Sequence, residues 1–210
     1  MIFNMPFFMN KIDSLIAPQT KEFVKLCRRY VEYLEQLPDR NISDFWTVQL
    51  RMLPEIYTAI SHLPKVDVCY SSDVEKFVTE REYNKVFMNL VVCIGALDKF
   101  PDFTDLSHPG KAKVLQASLS EMLTDIYQEL KDFVMLYETG TLENMNDALA
   151  ECFESFGKYW GVKLLSATRI IHVNLFQHRY AEAKKASQID DDDVDDDDMA
   201  EENDYYDEME

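Results

Sequence analysis

The sequence has little glycine or proline, 5 and 7 in 210 residues. A chain of strands and tight turns uses more of both. It also lacks a long apolar run. Its hydrophobic stretches fall well short of the roughly 20 residues that span a bilayer, so no membrane segment is expected. The four cysteines, Cys27, Cys69, Cys93 and Cys152, lie far apart and form no CxxC pair. Three of them (Cys27, Cys93 and Cys152) sit among apolar residues at helical spacing, the setting of small buried thiols. They read as reduced thiols of a cytoplasmic protein, without ligand spacing for zinc. No basic stripe with interleaved aromatics occurs, which argues against direct nucleic-acid binding. His62, His108, His172 and His178 are scattered, and no GxSxG, P-loop or dinucleotide fingerprint appears. The Glu-x-x-His pair of carboxylate-bridged metal bundles is absent as well. The nearest run is Asp105-Leu106-Ser107-His108, in a Pro-Gly loop. Neither a metal nor a cofactor is expected.

What is present is apolar content, 47%, enough for a sizeable core. The net charge of −18 is unevenly spread. Residues Ile189 to Glu210 hold 14 acids and no bases, so of 39 acids 25 remain to face 21 bases in the body, a charge of −4. Like-charge repulsion predicts that this acidic run is a disordered tail. It serves either solubility or the capture of a basic partner. A calcium role lacks the Gly-containing EF-hand loop. The start, MIFNMPFFMN, is apolar but has no basic leader segment and no small-residue cleavage site. It reads as a short arm, or as an upstream extension with Met5 or Met9 as the initiator. The expected organisation is one helical-bundle domain over 1–188, with 1–18 as the arm, and a tail over 189–210.

Apolar residues recur at three- and four-residue steps along most of the body. Phe23, Cys27, Tyr30, Val31 and Leu34 predict a helix over about Thr20 to Gln36. Ser43 caps a second, which Pro54 either kinks or interrupts. Thr79-Glu80-Arg81-Glu82 reads as a capping box opening a third. Phe100 to Gly110 is loop chemistry, and a long helix is predicted from about Ala112 to Tyr137. Gly140 and Thr141 end it and cap the next, Leu142 to Phe156. So short a link makes those two helices antiparallel neighbours. Gly157 and Gly161 break or bend the chain around Trp160 before a last helix to near Ala186. No strand alternation long enough for a sheet is visible. The expected fold is an all-α bundle of about six helices.

Within LTDIYQELKDFV, residues 123–134, Asp125, Glu129 and Asp132 stand at i, i+4, i+7. At about 100° per residue they share an arc of roughly 60°, on the flank of the apolar stripe. None has a Lys or Arg three or four residues away. Asp147, Glu151 and Glu154 repeat the spacing, but opposite their own stripe, and Glu154 has Lys158 four residues on. The second set is therefore expected on the surface, and the first is expected to draw cations from another helix. Leu165, Arg169, His172, Val173 and Phe176 share one side of the last helix. The expectation is that Arg169 pairs with Asp125 or Glu129 across the bundle, with His172 nearby.

The stretch from Glu121 to His172 resembles an uncharacterised bacterial family, domain of unknown function 5063. The resemblance rests on TDIYQELKDF at 124–133, MNDAL at 145–149 and YWGVKLL at 159–165, continued by Ala167, Arg169, Ile171 and His172. It implies an all-helical, cytosolic bacterial protein and no particular activity. The acidic tail and apolar start are unlike the family core.

Two functional classes follow. The first is a non-enzymatic binding or adaptor protein that meets a protein partner through a bundle groove or its tail. The groove would be lined by Trp46, Tyr127 and Trp160, unless these aromatics are core anchors. The second is a small enzyme or ligand-binding protein using a carboxylate–Arg–His cluster of Asp125, Glu129, Asp132, Arg169 and His172.

Overall fold

The computed structural model of the chain describes residues 11–37, 42–64, 66, 74–103 and 114–192. It divides into two units, Met1–His172 and Val173–Glu210. Among the described residues the architecture is helical. A short α1 (Lys11–Leu15) precedes α2 (Pro18–Glu35), α3 (Ile42–Ser61) and α4 (Glu80–Ile94). An antiparallel hairpin, β1 (Lys99–Phe103) with β2 (Val114–Ser118), leads into α5 (Leu119–Glu138). Then come α6 (Leu142–Ser155), a π-helical segment over Phe156–Trp160, and α7 (Gly161–Asp192). No described helix is long and apolar enough to cross a membrane. Residues 1–10, Cys69 and the acidic run from residue 193 lie outside the described residues, whereas Ile189 to Asp192 are still helical.

Helix α5 is the axis of the first unit, packing against α2, α4 and α6. Its apolar residues Leu123, Ile126, Leu130 and Phe133 are all buried. The predicted stripe of α2 is buried in full, and the Phe23 ring meets Phe133 of α5 at 5.1 Å between centroids. Each such side chain removed from water stabilises the fold by about 1.5–3 kcal/mol. Pro54 lies inside α3, which continues through it as one helix.

The capping box at Thr79 forms as expected: the Glu82 N–H donates to Thr79 Oγ1, and the Thr79 N–H donates to Glu82 Oε2. Gly140 takes a positive φ of 81°, and the Thr141 side chain accepts from the Asn144 N–H. The contacts Thr139–Asn144 and Glu129–Ser155 run in opposite directions along the two helices, so α5 and α6 are antiparallel.

Two local expectations are corrected. Residues 114–118 are a strand, so α5 begins at Leu119 rather than near Ala112. The buried Asp98 enforces this break. It accepts from the Ser118 hydroxyl at 2.9 Å and the Ser120 N–H at 2.7 Å, while Ser118 caps α5 by accepting from the Glu121 N–H. Those donors overcome the burial of Asp98 and hold its carboxyl below the usual range. Of the break or bend expected at Gly157 and Gly161, the break does not occur. The backbone passes through one π-helical turn into α7, and Trp160 is fully buried there, edge-on to Phe156. Gly161 is required by close packing: a Cβ at this position would lie 2.4 Å from the Phe156 carbonyl oxygen.

Candidate functional site

Three polar constellations are strung along α5, built on Asp125, on Glu129 with Asp132, and on Lys131. The first is built on Asp125, which is 7% exposed. The Tyr83 hydroxyl of α4 donates to its Oδ1 at 2.7 Å, and the Lys163 ammonium of α7 pairs with its Oδ2. Lys163 also donates to the Tyr159 hydroxyl at 2.7 Å and lies 3.9 Å from the centre of that ring. Burial, then the nearby Asp125 carboxylate, push the Tyr83 phenol well up. Burial works against the Lys163 charge, but its bonds to Asp125 and Tyr159 prevail and raise its pKa. This site is thus a closed ion pair with two phenols, each atom committed to a partner.

The second constellation gathers Asp132 and Glu129 with the segment leading into α4. Asp132 is 6% exposed, and its Oδ1 accepts from the Phe77 and Val78 N–H groups at 2.7 and 2.8 Å. One carboxylate thereby fastens an irregular segment to the bundle. Glu129 is half-buried and accepts from the Ser155 hydroxyl at 2.7 Å. Burial is the chief reason its pKa is raised; Ser155 and the charge of Lys76 act against that, while Asp132 and Glu151 add to it. Lys76 itself binds Glu151 of α6 at 3.3 Å.

The third constellation is centred on Lys131. Its ammonium donates to Glu35 at 2.8 Å, Glu82 at 3.0 Å and the Tyr127 hydroxyl at 3.1 Å, and Tyr127 donates to Glu35 at 2.9 Å. Burial and the Glu35 carboxylate raise the Tyr127 phenol to about 12 against the pull of Lys131. The backbone bond from Thr79 first, then Lys131, hold the Glu82 carboxyl down to about 2. Alongside lies an open cleft of about 470 Å³ between α2, α5 and the segment entering α4. Its apolar walls are Val31, Val134, Met135 and Phe77. Four glutamates, Glu32, Glu35, Glu82 and Glu138, border it against two cations, Arg28 and Lys131.

The expected partner of Asp125 is corrected. A cation from α7 does reach it, but that cation is Lys163; Arg169 is exposed and pairs instead with Asp102 of β1 at 3.1 Å. His172 is also exposed. The buried face of α7 in the first unit is Leu164, Ala167 and Ile171, whereas Leu165 is half exposed. The side holding Leu165, Arg169 and His172 therefore points away from Asp125, and the carboxylate–Arg–His cluster is not assembled. The aromatic groove is corrected too. Trp46, Tyr127 and Trp160 are 7%, 1% and 0% exposed, so they are core residues and line no open groove. Asp147, expected on the surface, is buried beside Asn146, which donates to it at 3.2 Å. Among the described residues no three His, Cys, Asp or Glu side chains are grouped so as to hold a metal ion.

The residues that sequence reasoning missed include Lys163, Tyr83 and Lys131, with Lys76, Glu35 and Ser155 beside them. Lys131 had a signal, since it stands four residues after Tyr127 on the same face. Lys163 had a weaker one, standing four residues after Tyr159.

The family model for a domain of unknown function, DUF5063, matches residues 15–177. The chain belongs to this family. The match covers every residue of the three constellations and stops before the acidic run. A crystal structure of protein BF1032 from Bacteroides fragilis, a structural genomics target, is similar to this chain at 32% identity and a TM-score of 0.67. The similarity covers 76% of this chain and 93% of that one. Among curated proteins none matches.

Proposed function

We propose that this member of the family is a non-enzymatic binding or adaptor protein, and that the cleft beside Lys131 is where its protein partner docks. The cleft itself carries the reading. It joins an apolar floor to an acidic border, and the exposed Met135 side chain offers an adaptable contact at its edge. With four glutamates against two cations, it favours a basic segment with apolar residues on one face. The acidic run after Gln188 attracts the same class of partner, so the two features reinforce each other. The polar groups around Asp125 are engaged with one another, which suits a structural role better than a reacting centre. The free thiols Cys27, Cys93 and Cys152 support a cytoplasmic setting.

The test is co-purification from the native cell with three forms: the full chain, the chain ending at Gln188, and Met135→Glu. The reading expects the truncated chain to keep its partner with reduced affinity and Met135→Glu to lose it. If truncation removes every partner while Met135→Glu keeps them all, the cleft is not the docking site.

A further inference from the structure

The two strands of the hairpin differ in how their outer edges are protected. Strand β1 carries Lys99, Pro101 and Asp102, and charges and proline on an edge are what prevent strands from pairing with other molecules. It is also tied to α7 by the Arg169–Asp102 pair. Strand β2 reads VLQAS, with no charge, no proline and no glycine. Its partner among the described residues is β1 alone. Val114 and Leu115 are 61% and 51% exposed although neighbours in a strand face opposite ways, so the start of β2 stands clear on both faces.

The register shows what that edge offers. Pro101 lies opposite Gln116, and a proline without an N–H fits where its nitrogen points away from the partner strand. The Phe100–Ala117 and Asp102–Leu115 pairs then exchange the bonds of the hairpin. Val114 and Gln116 turn their own N–H and C=O groups outward.

We propose that β2 pairs edge to edge with β2 of a second copy of this chain, in antiparallel register centred on Leu115. A two-fold axis at Leu115 brings Val114 of each copy opposite Gln116 of the other, so the outward groups of both residues are satisfied in both directions. It also sets the two Leu115 side chains against each other in the close, non-hydrogen-bonded position. No like charges meet across the strands, because Val114 to Ala117 carry none. The buried Ser118, already committed to Asp98, is not needed. A second copy fits this edge better than a foreign strand, since an uncharged edge selects no partner of opposite sign while the two-fold pairing is self-complementary. The net charge of −18 opposes association, so the dimer gains from salt.

The experiment uses the full chain in sedimentation equilibrium at concentrations up to about 1 mM. The wild type should show a monomer–dimer equilibrium that shifts toward dimer as salt rises. Leu115→Lys should be monomeric with an unchanged helical circular dichroism spectrum. Leu115→Cys, treated with a copper(II) oxidant that takes the two electrons released, should cross-link as a disulfide dimer far above both the wild type and Val92→Cys. Val92 is the control because it is 79% exposed on α4, outside the strand. A monomeric wild type at every salt concentration would overturn the proposal. So would a Leu115→Lys variant that still dimerises, or a Leu115→Cys yield no higher than the control. Hydrogen exchange protection of the Gln116 amide in a monomer would show a different occupant on that edge and also count against it.

Discussion

Helices α5 and α6 carry carboxylates at identical spacing, Asp125–Glu129–Asp132 and Asp147–Glu151–Glu154, yet the two sets end in different surroundings. On α5 all three are drawn into contacts with other elements: Asp125 with α4 and α7, Glu129 with α6, Asp132 with the backbone entering α4. On α6 the set grades from buried Asp147, through Glu151 bound to Lys76, to Glu154 exposed with Lys158. Spacing does not separate these cases. The local supply of cations does. Only Glu154 has a basic residue three or four positions away, and only Glu154 is exposed. A helical carboxylate without a cation three or four positions away finds one elsewhere, or a set of N–H and O–H donors, because leaving it partly buried and unpaired is costly. The exposed Glu121 and Glu143 lie in first turns, where the helix amino terminus itself supplies the favourable charge.

The comparison can be broken most sharply at Asp132. Asp132→Ala leaves the Phe77 and Val78 N–H groups without their acceptor and should lower stability by about 2–4 kcal/mol in denaturant unfolding. An effect below about 0.5 kcal/mol would show that this carboxylate is no better placed than a surface one. Asp125→Ala comes next, at about 2–3 kcal/mol, since it strands the partly buried Lys163 and frees the Tyr83 hydroxyl.

Glu129 sharpens the contrast through pH. Its folded pKa lies above the unfolded value, so at neutral pH its charge counts against folding, and this penalty fades as pH falls through the folded pKa and below the ordinary Glu value of about 4.3. Glu129→Gln should therefore stabilise the protein at pH 7, with the gain vanishing in acid. Thermal unfolding across pH reads it, and a variant less stable at pH 7 than at pH 4, relative to wild type, would reverse the sign.

At the small end stand Glu154→Ala and Arg169→Ala. Glu154→Ala removes an ion pair with both partners exposed and Arg169→Ala the exposed arginine of a pair whose Asp102 is half-buried; each should change stability by no more than about 0.5 kcal/mol. A loss of about 2 kcal/mol in either would mean that exposure and local pairing do not mark the weak sites.

Much of the fold was legible because its signals are local. The α2 stripe repeats from one turn to the next, and the Thr79 capping box and the Gly140–Thr141 connection each depend on residues within one turn of each other. The hairpin is not legible, because its strands lack alternation and Ala112 to Ser118 contains good helix formers. Yet Ser118-Leu119-Ser120-Glu121 repeats the capping pattern of Thr79 to Glu82 and marks the true start of α5. The inward face of α7 is ambiguous in the sequence, because Leu164 and Leu165, and Ile170 and Ile171, present apolar residues on two adjacent faces. Periodicity alone cannot choose between them. The small Ala167 is the residue compatible with the packed face, and Arg169 marks the wet one. The burial of Asp147 is not legible in its spacing, since α6 packs against α1 as well as α5 and more of its circumference is covered than one stripe suggests. The cleft could not be read at all, since it joins α2 to residues about a hundred positions later.

Asp125, a carboxylate without a local cation, recruits Lys163 rather than Arg169. A pair of double-mutant cycles tests it, Asp125→Asn combined with Lys163→Met and, separately, with Arg169→Met. The account predicts a coupling of about 1–3 kcal/mol with Lys163 and none beyond about 0.5 kcal/mol with Arg169. Coupling to Arg169 with none to Lys163 would contradict it.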